Sequence, residues 1–230
     1  MKKVLIISGA GLSAASGIKT FRDSDGLWEN HDVMEICSTE GFMRNRQKVL
    51  DFYDARRAEL AAATPNYAHI KIAELKAKYG EQIVVITQNI DDLLERAGCA
   101  DVVHLHGFLP NLRCESCGEI WRVGYDSIRD KICPKCASSR LRHDVVMFGE
   151  MAPEYERMYR EASECTLFIA IGTSGEVIDI ASFAKRAPYS ILNNLEKSRL
   201  DRHFDTLYIE SAVNAVDKIA RDIEEFLRKD

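Results

Sequence analysis

Two polar stretches of the sequence contain residue types that acid–base chemistry needs. Thr-Gln-Asn-Ile-Asp-Asp at 87–92 and His-Leu-His-Gly at 104–107 each follow a short apolar run typical of a buried strand. The first stretch offers two amides and a carboxylate, and the second offers His104 and His106. An uncharged imidazole at such a position can accept a proton from a hydroxyl group. The alternative for either histidine is a satisfied core group or one that only supports the site.

The first apolar run leads into a glycine-rich turn, Gly9-Ala-Gly-Leu-Ser-Ala14, that is typical of dinucleotide-binding folds. Gly9 permits the tight turn, Gly11 lets the backbone approach a pyrophosphate, and the small Ala14 permits close helix packing. The sequence predicts that a helix follows, stops at Gly17 and presents its amino end to the phosphates. Glycine turns after strands are common, so this turn alone does not establish a cofactor site.

The segment after this turn differs from what a dehydrogenase needs. Residues 18–28 are polar, and no second strand ends in a ribose-binding acid about twenty residues on, as the dinucleotide fingerprint requires. A long loop that starts beside the pyrophosphate suggests a lid over the cofactor. A solvated connection is the alternative, although Phe21, Leu27 and Trp28 are unusual residues for one.

Two further turns carry polar groups after apolar runs. Gly172-Thr-Ser174 can offer backbone N–H groups and hydroxyls to phosphate, and Asn194-Leu-Glu196 suits ribose hydroxyls. Ligands of open α/β sheets bind outside the carboxyl ends of the strands. We therefore expect both turns to converge with the stretches at 87–92 and 104–107 on one cofactor.

The cysteines give the clearest metal signal. Cys114-x2-Cys117-x15-Cys133-x2-Cys136 has the spacing of two thiolate knuckles that close a tetrahedral zinc site. Four protein ligands leave no open coordination position, so the zinc is expected to be structural rather than catalytic. Cys99 and Cys165 are expected to be small core residues.

Apolar runs rich in β-branched residues are predicted to be the strands that position these groups. They are apolar throughout rather than alternating, which is typical of a parallel sheet covered on both faces. The runs are Val4–Ile7, Ile83–Ile86, Val102–Leu105, Leu167–Ile171, Ser190–Leu192 and Leu207–Ile209. Helical periodicity separates several of them, at Ala68–Tyr79, Asp91–Ala97, Tyr155–Glu164 and Val213–Leu227. This alternation predicts an α/β fold with a doubly wound parallel-sheet (Rossmann-like) domain.

Two stretches interrupt the alternation. Residues 30–65 have a helical pattern without a strand partner, and residues 109–143 hold the four spaced cysteines. We expect both insertions to form a small domain, made of a helical part and a zinc module. The Rossmann-like domain is then expected to comprise residues 1–29, 66–108 and 144–230.

Charge and hydropathy exclude several classes of partner. The formal net charge is −5 and the chain has no long basic run, so the sequence gives no sign of the basic surface that binds nucleic acid. The longest apolar stretch, Cys165–Ile171, is far too short to span a bilayer. Seven cysteines without an export signal indicate thiols or metal rather than disulfides, so we expect the protein in the cytoplasm.

Several motifs occur together in the order of one known family. The motifs are Gly9-Ala-Gly-x-Ser-x-x-Ser-Gly-Ile18 with Phe21-Arg22, Gln88-Asn-Ile-Asp91, His106-Gly107, the four cysteines, Phe148-Gly-Glu150, Gly172-Thr-Ser174 and Asn194-Leu-Glu196. Over nearly its whole length the chain resembles the sirtuins, which are NAD-dependent protein-lysine deacylases. The resemblance implies NAD as the cofactor, one structural zinc per chain and acyl-lysine proteins as partners.

The resemblance also implies roles for individual residues. His106 would be the general base, and Asn89 and Asp91 would hold the nicotinamide and its ribose productively. NAD would be bound by Gly9, Ala10, Gly11, Ser13, Ala14, Phe21, Arg22, Trp28, Gln88, Asn89, Ile90, Asp91, Gly172, Thr173, Ser174, Asn194, Leu195, Glu196 and Ala212. Ser13 and Gln88 would contact ribose, and Phe21 and Arg22 would cover the reaction centre. The substrate peptide would lie between the two domains, in contact with Val145, Phe148, Gly149 and Glu150.

In the mechanism that the family implies, the acyl-lysine carbonyl oxygen attacks C1′ of the nicotinamide ribose and expels nicotinamide. His106 then deprotonates a ribose hydroxyl, which attacks the alkylimidate. The products are free lysine, nicotinamide and O-acyl-ADP-ribose.

A finer resemblance concerns the acyl group. Tyr53-Asp-Ala-Arg56 matches the Tyr-x-x-Arg of class III sirtuins, which favour negatively charged acyl groups. A guanidinium binds a carboxylate bidentately and a phenol adds a donor, so Tyr53 and Arg56 are predicted to clamp a succinyl or malonyl carboxylate. The alternative is a solvated helix face. The chain departs from class III at Cys37-Ser-Thr39, where these relatives usually have Ala-Thr-Pro, so the pocket wall is expected to be bulkier.

Other functions remain open at this point. A nicotinamide dehydrogenase would share the first glycine turn, but it needs the missing acid and a hydride-acceptor site. A zinc-ribbon interaction module would need no catalysis, so its activity would survive mutation of His106. ADP-ribosyl transfer to protein is a further outcome within the family chemistry.

Overall fold

The computed structural model describes residues 2–19, 27–28 and 31–228. Phe21 and Arg22, together with most of the predicted lid, lie outside the described residues. Trp28 is described as part of a short strand. Within the described chain, no helix combines the length and the apolar character needed to cross a membrane.

The strands form one large parallel sheet, one small antiparallel sheet and one short hairpin ladder. In chain order they are β1 (Val4–Ser8), β2 (Leu27–Trp28), β3 (His31–Asp32), β4 (Ile83–Thr87), β5 (Val103–His104), β6 (Gly107–Cys114), β7 (Ile120–Arg122), β8 (Leu141–Val145), β9 (Leu167–Ile171), β10 (Ser190–Asn194) and β11 (Thr206–Ile209). The large sheet has the order β11-β10-β9-β1-β4-β5, and all of its neighbouring strands are parallel.

Helices cover both faces of the large sheet and build the region beside it. They are α1 (Val33–Ile36), α2 (Thr39–Arg44), α3 (Arg46–Ala62), α4 (Tyr67–Tyr79), α5 (Leu93–Arg96), α6 (Tyr155–Glu164), α7 (Ile180–Arg186) and α8 (Ala212–Arg228). The predicted Rossmann-like α/β fold is therefore confirmed.

Alternate residues of the central strands pack into two separate cores. Val4 and Ile6 of β1 belong to one buried cluster, which includes apolar residues of α4 and α8. Leu5 and Ile7 point to the opposite face, into a cluster that includes residues of α6 and α7. Each strand is buried on both faces, which explains why its sequence is apolar without alternation.

The strand order reverses direction at β1. The chain continues from β1 to β4 and β5 on one side, then returns to place β9, β10 and β11 on the other. The carboxyl ends of β1 and β9 thus define the topological switch point, where open α/β sheets bind their ligands.

The predicted helix after Gly9 is wrong. Ala10–Leu12 and Ala14–Ser16 form two successive 3₁₀ turns, and Gly17 ends the second with a φ of 84°. Only a few residues separate β1 from this left-handed glycine, so the segment has no length for an α-helix.

Residues 107–145 form the small antiparallel sheet, in the order β7-β6-β8. The helices α1–α3 lie beside it, and a buried cluster joins them through Tyr53, Leu109 and Val145. A parallel bridge between Ser38 and Phe148 also connects this helical region to the chain that follows β8.

Candidate active site

Side chains from the ends of β1 and β4 bond directly to each other at the switch-point edge. Ser8 Oγ donates to Thr87 Oγ1 at 2.9 Å, and the backbone N–H of Gln88 donates to Ser8 O at 2.9 Å. The strands are paired in register from Val4 with Ile83 to Ser8 with Thr87. The residues that follow β4 are therefore held beside the glycine turn that follows β1.

Ser13 is the centre of a buried hydrogen-bond network. Its hydroxyl donates to Asp91 Oδ2 at 2.9 Å and accepts from Asn89 Nδ2 at 3.1 Å. His69 Nε2 lies 3.3 Å away, and His69 Nδ1 accepts the N–H of Asn66 at 3.2 Å. Because Nδ1 is an acceptor, Nε2 carries the proton and donates to Ser13. The Ser13 hydroxyl thus has three partners within the protein.

Burial shapes the protonation of this network. It lowers the pKa of His69 to about 4, so the imidazole is neutral. Burial raises the pKa of Asp91, while the hydrogen bond from Ser13 opposes that change. Asp91 also accepts the N–H of Leu93 at 3.1 Å, at the start of α5. The network therefore fixes the amide of Asn89, which also donates to Gly9 O at 3.2 Å.

His106 has the properties of a general base. Its Nδ1 lies 3.0 Å from Gln88 O, and a carbonyl can only accept, so Nδ1 carries the proton. Burial lowers the pKa of His106, and the Gln88 carbonyl partly opposes the change. The neutral ring therefore presents Nε2 as an acceptor, and the hydroxyl of Tyr155 lies 3.2 Å from it.

His104 differs from His106 although only one residue separates them. Its Nδ1 lies 2.9 Å from Asn89 O and its Nε2 lies 2.7 Å from Glu95 Oε1. Burial alone would lower the pKa of His104, but the hydrogen bond and charge of Glu95 raise it above its ordinary value. Both ring nitrogens are occupied as donors, so His104 supports Asn89 and is not a base.

The turns after β1 and β9 pack directly against each other at the switch point. Gly11 N donates to Gly172 O at 3.0 Å, and a Cβ on Gly11 would lie 2.6 Å from Gly172 Cα. Gly172 itself has a φ of 61°. The structure thus gives these glycines a packing role, and the cofactor role that the sequence indicated stays a prediction.

Thr173 connects three strand ends at this edge. Gln88 Nε2 donates to Thr173 Oγ1 at 2.9 Å and Asn194 Nδ2 donates to Thr173 O at 3.0 Å. Asn194 is buried, whereas Leu195 and Glu196 are exposed just beyond it. The other predicted cofactor residues lie in the turns or at element ends: Ala10 and Ala14 in the 3₁₀ turns, Ile90 between β4 and α5, Ser174 after β9, and Ala212 at the start of α8.

The four spaced cysteines meet at one point of the small sheet. Cys114 Sγ lies 3.6 Å from Cys136 Sγ, Cys117 Sγ lies 3.6 Å from Cys133 Sγ, and all four sulfurs lie within 4.8 Å of one another. Tetrahedral zinc with Zn–S bonds of about 2.3 Å separates its sulfurs by about 3.8 Å. The cluster therefore fits one closed zinc site. Cys99 and Cys165 are buried in the two cores of the large sheet, as predicted.

Tyr53 and Arg56 lie on α3, in the helical region next to this sheet. Tyr53 is buried, and its hydroxyl donates to Cys37 Sγ at 3.4 Å. Burial, and then the neighbouring Cys37, raise the pKa of Tyr53 well above its ordinary value. Arg56 forms an ion pair with Glu59, and its guanidinium lies 5.3 Å from the centre of the Phe52 ring.

The predicted peptide-binding residues follow β8, which ends at Val145. Phe148 N donates to Cys37 O at 2.7 Å, and Thr39 N donates to Phe148 O at 3.0 Å. Gly149 has a φ of 95°. The Glu150 carboxylate accepts from Arg142 Nη2 at 2.7 Å and from Met147 N at 2.9 Å, so this side chain holds the loop.

Two residues that contact the site were not evident from the sequence: His69, a partner of Ser13, and Tyr155, a partner of His106. His69 belongs to Asn66-Tyr-Ala-His69, where Asn66 caps α4 and His69 completes a capping box. Asn66 is a typical N-cap residue and was readable in the sequence, whereas His69 replaces the Glu or Gln that the usual capping pattern has at this position. Tyr155 gave no such signal, because its contact with His106 joins residues distant in the chain.

Comparisons with known proteins agree with this geometry. The model of the Sir2 family matches residues 9–179. An NAD-dependent protein deacylase of Campylobacter jejuni (strain RM1221) is 59% identical over 229 residues, covering 99% of this chain and 98% of that protein. An NAD-dependent protein deacylase of Pasteurella multocida (strain Pm70) is 41% identical over 221 residues, covering 93% of this chain and 94% of that protein.

A solved structure, the crystal structure of a Sir2 homologue–NAD complex, matches the fold with a TM-score of 0.86 at 35% identity. The match covers 98% of this chain and 91% of that chain. The protein combines a parallel α/β sheet, polar groups at its switch point and a four-cysteine cluster. These features are those of a dinucleotide-binding enzyme. The chain belongs to the Sir2 family, the sirtuins.

Proposed function

We propose that the protein is an NAD-dependent protein-lysine deacylase whose products are nicotinamide, free lysine and O-acyl-ADP-ribose. The neutral His106, held by the Gln88 carbonyl at the carboxyl edge of the large sheet, is the observation that carries this proposal. The membership of the Sir2 family and the names of its relatives support the same activity.

The groups at the switch-point edge suit a dinucleotide. They are backbone N–H groups, amides and hydroxyls from the residues that follow β1, β4, β9 and β10. NAD, when bound, supplies an activated ribose carbon with nicotinamide as the leaving group. The cofactor residues implied by the resemblance, with Phe21, Arg22 and Trp28 among them, are proposed on this basis.

His106 performs the proton transfer in this proposal. The bond between a ribose hydroxyl oxygen and its hydrogen breaks, the electron pair stays on the oxygen, and the proton binds His106 Nε2. The Gln88 carbonyl keeps Nδ1 protonated, so the imidazolium that forms has a hydrogen bond at that nitrogen. Asn89 and Asp91 keep the nicotinamide half oriented through the Ser13 network.

The second part of the proposal concerns which acyl group the enzyme removes. Tyr53 and Arg56 lie one turn apart on α3, and we assign them to the carboxylate of a succinyl or malonyl group, with acetyl as a poorer substrate. In the protein without substrate their partners include Cys37 and Glu59. A substrate carboxylate would replace these contacts with charge-assisted hydrogen bonds, which are the stronger kind.

The protein substrate would lie between the Rossmann-like domain (1–29, 66–108, 144–230) and a small domain (30–65, 109–143). Both backbone polar groups of Phe148 bond to Cys37 and Thr39. We therefore expect the peptide backbone to pair with Gly149 and Glu150, while the half-exposed Phe148 ring contacts the peptide. The cysteine usage supports a cytoplasmic location.

Product analysis by mass spectrometry tests the activity directly. The purified protein is incubated with NAD and matched acetyl-, malonyl- and succinyl-lysine peptides, and a mixture without NAD is the control. The proposal predicts free lysine peptide, nicotinamide and the corresponding O-acyl-ADP-ribose in equal amounts. Reduced nicotinamide cofactor would instead indicate a dehydrogenase, and ADP-ribosylated peptide without deacylation would indicate transfer to protein.

A further inference from the structure

Tyr155 contacts His106, the candidate base, and lies on a helix that none of the sequence motifs of the site includes. It is the first residue of α6, a helix that covers the large sheet. Its hydroxyl lies 3.2 Å from His106 Nε2, and the two ring centres are 6.2 Å apart. This is the nitrogen that receives the proton in the proposed reaction.

The direction of this hydrogen bond follows from the other side of the His106 ring. Gln88 O can only accept, so the proton of the neutral imidazole is on Nδ1. Nε2 therefore has a lone pair, and the Tyr155 hydroxyl is the donor. After protonation, Nε2–H becomes a donor and the same hydroxyl oxygen can accept from it. A phenol can bond to this nitrogen in both protonation states.

We propose that Tyr155 is a positioning residue for His106, whose hydroxyl holds Nε2 towards the reaction site in the resting protein. The inference rests on the proposed function and names a further residue of the same site. A substrate hydroxyl replaces the phenol at Nε2 when it transfers its proton. The phenol oxygen then accepts a hydrogen bond from the new Nε2–H, which stabilises the imidazolium.

The residues around Tyr155 and His106 provide a control for the loss of the Tyr155 hydroxyl. Burial and the Gln88 carbonyl determine the pKa shift of His106, and burial and the neighbouring Tyr159 phenol raise the pKa of Tyr155. Tyr159 lies one helical turn further on, is more than half exposed, and meets Tyr155 edge to face. Tyr159→Phe removes the same group from the same helix and is the matched control.

The first readout is the titration of the His106 ring by NMR, with its signals assigned by their absence in His106→Ala. Tyr155→Phe should lower the pKa of His106 by roughly 0.5–1 unit, because hydrogen bonds to charged groups are stronger than neutral ones and the charged ring loses more. Tyr159→Phe should leave it unchanged. An unchanged or higher pKa in Tyr155→Phe would overturn the proposal.

The second readout is the deacylation rate. Tyr155→Phe should lower kcat about tenfold, the size of one neutral hydrogen bond, and leave KM for NAD unchanged. A loss shared equally by Tyr159→Phe would assign Tyr155 to packing and overturn the proposal. If wild-type protein deacylates no peptide, the proposed function fails, whereas the NMR titration still decides whether Tyr155 acts on His106.

A third variant covers the case in which Tyr155→Phe does not fold. Incorporation of 3-fluorotyrosine at position 155 is nearly isosteric and makes the phenol a stronger donor and a weaker acceptor. Both changes favour the neutral ring, so the pKa of His106 should again fall. No fall in a folded fluorotyrosine variant would contradict the contact.

Discussion

The edge of the large sheet and the region around α3 hold their functional groups in different ways. At the edge, partners come from adjacent strand ends, such as Ser8 with Thr87 and Gln88 with Thr173. The parallel register brings such groups together once the sheet forms. The helix α3 is not part of a sheet, so no strand register fixes its position. Its position depends on long-range hydrogen bonds to the zinc-binding sheet and its loops.

Arg57 provides three of these long-range bonds. It is fully buried, and it donates at 2.9 Å to each of three carbonyl oxygens, of Leu109, Asn111 and Asp126. Burial lowers its pKa to about 10, which still leaves it charged at neutral pH. The neighbouring Asp54 accepts the N–H of Ile128 at 3.0 Å. The helix that carries Tyr53 and Arg56 is therefore fixed both to β6 and to the segment between the two pairs of cysteines.

If Tyr53 and Arg56 bind the acyl carboxylate as proposed, the chemistry at the sheet edge and the choice of acyl group depend on different parts of the fold. The edge should keep binding NAD when the zinc region is damaged, whereas the acyl clamp should not survive that damage.

Removal of the zinc should have the largest effect. Cys133→Ser should lose the metal and unfold the small sheet, because only a few apolar residues pack there and zinc binding to such modules is worth on the order of 10 kcal/mol. Elemental analysis and thermal unfolding measure both changes. Cys165→Ser, buried beside the large sheet, should keep its zinc. A stable, fully active, zinc-free Cys133→Ser protein would refute the structural role.

Loss of the general base, His106, should have the next largest effect. His106→Ala should lower kcat for succinyl- and acetyl-peptides alike by about 10²–10⁴-fold, the usual contribution of a general base. NAD binding, measured by calorimetry, should persist, since the phosphate-binding turns are untouched. Turnover near the wild-type rate would contradict the assignment of His106.

The ion pair of His104 should contribute less, and in a pH-dependent way. The pKa of His104 is raised in the folded protein, so the pair stabilises fully below about pH 6.5 and loses its effect as pH rises through the folded pKa. Glu95→Gln should thus lower the free energy of unfolding by about 1.5 kcal/mol at pH 6 and by less at pH 9. Denaturant unfolding at both values measures this, with Glu40→Gln in an exposed pair as the control. An equal loss at both values would show that His104 stays neutral.

The thiol beside Tyr53 should have the smallest effect. Cys37→Ala removes the acceptor of the Tyr53 hydroxyl and widens the pocket, so kcat/KM for succinyl-peptide should rise by roughly two- to fivefold, which is the size of a weak neutral hydrogen bond. Cys99→Ala, buried in the core away from α3, should leave the preference unchanged. A fall in the succinyl-to-acetyl ratio would mean that the thiol assists the clamp.

The same difference explains how much could be predicted from the sequence. Strands such as Leu167–Ile171 and the groups at their carboxyl ends were predictable, because the order of elements fixes where they meet. The three bonds of Arg57 were not, because they join α3 to carbonyls of β6 and of the loop that follows β7. The contact of Tyr155 with His106 likewise depends on how α6 packs on the sheet.

Local conformation at the first turn also escaped prediction. The glycine pattern was identified, but the segment from Ala10 to Ser16 forms 3₁₀ turns rather than a helix. The pattern could not reveal that Gly11 packs against Gly172, a contact that requires β1 and β9 to be neighbours.

The succinyl-to-acetyl ratio of kcat/KM in Arg56→Met decides whether Arg56 binds the acyl carboxylate. A charge-assisted hydrogen bond is worth roughly 1.5–3 kcal/mol, so the ratio should fall by about 10–150-fold while the acetyl rate changes little. Glu59→Gln, which removes the ion-pair partner of Arg56 and keeps the guanidinium, should leave the ratio unchanged or raise it. If Arg56→Met lowers both rates equally, Arg56 supports the helix alone, and acyl choice is not separate from the chemistry at the sheet edge.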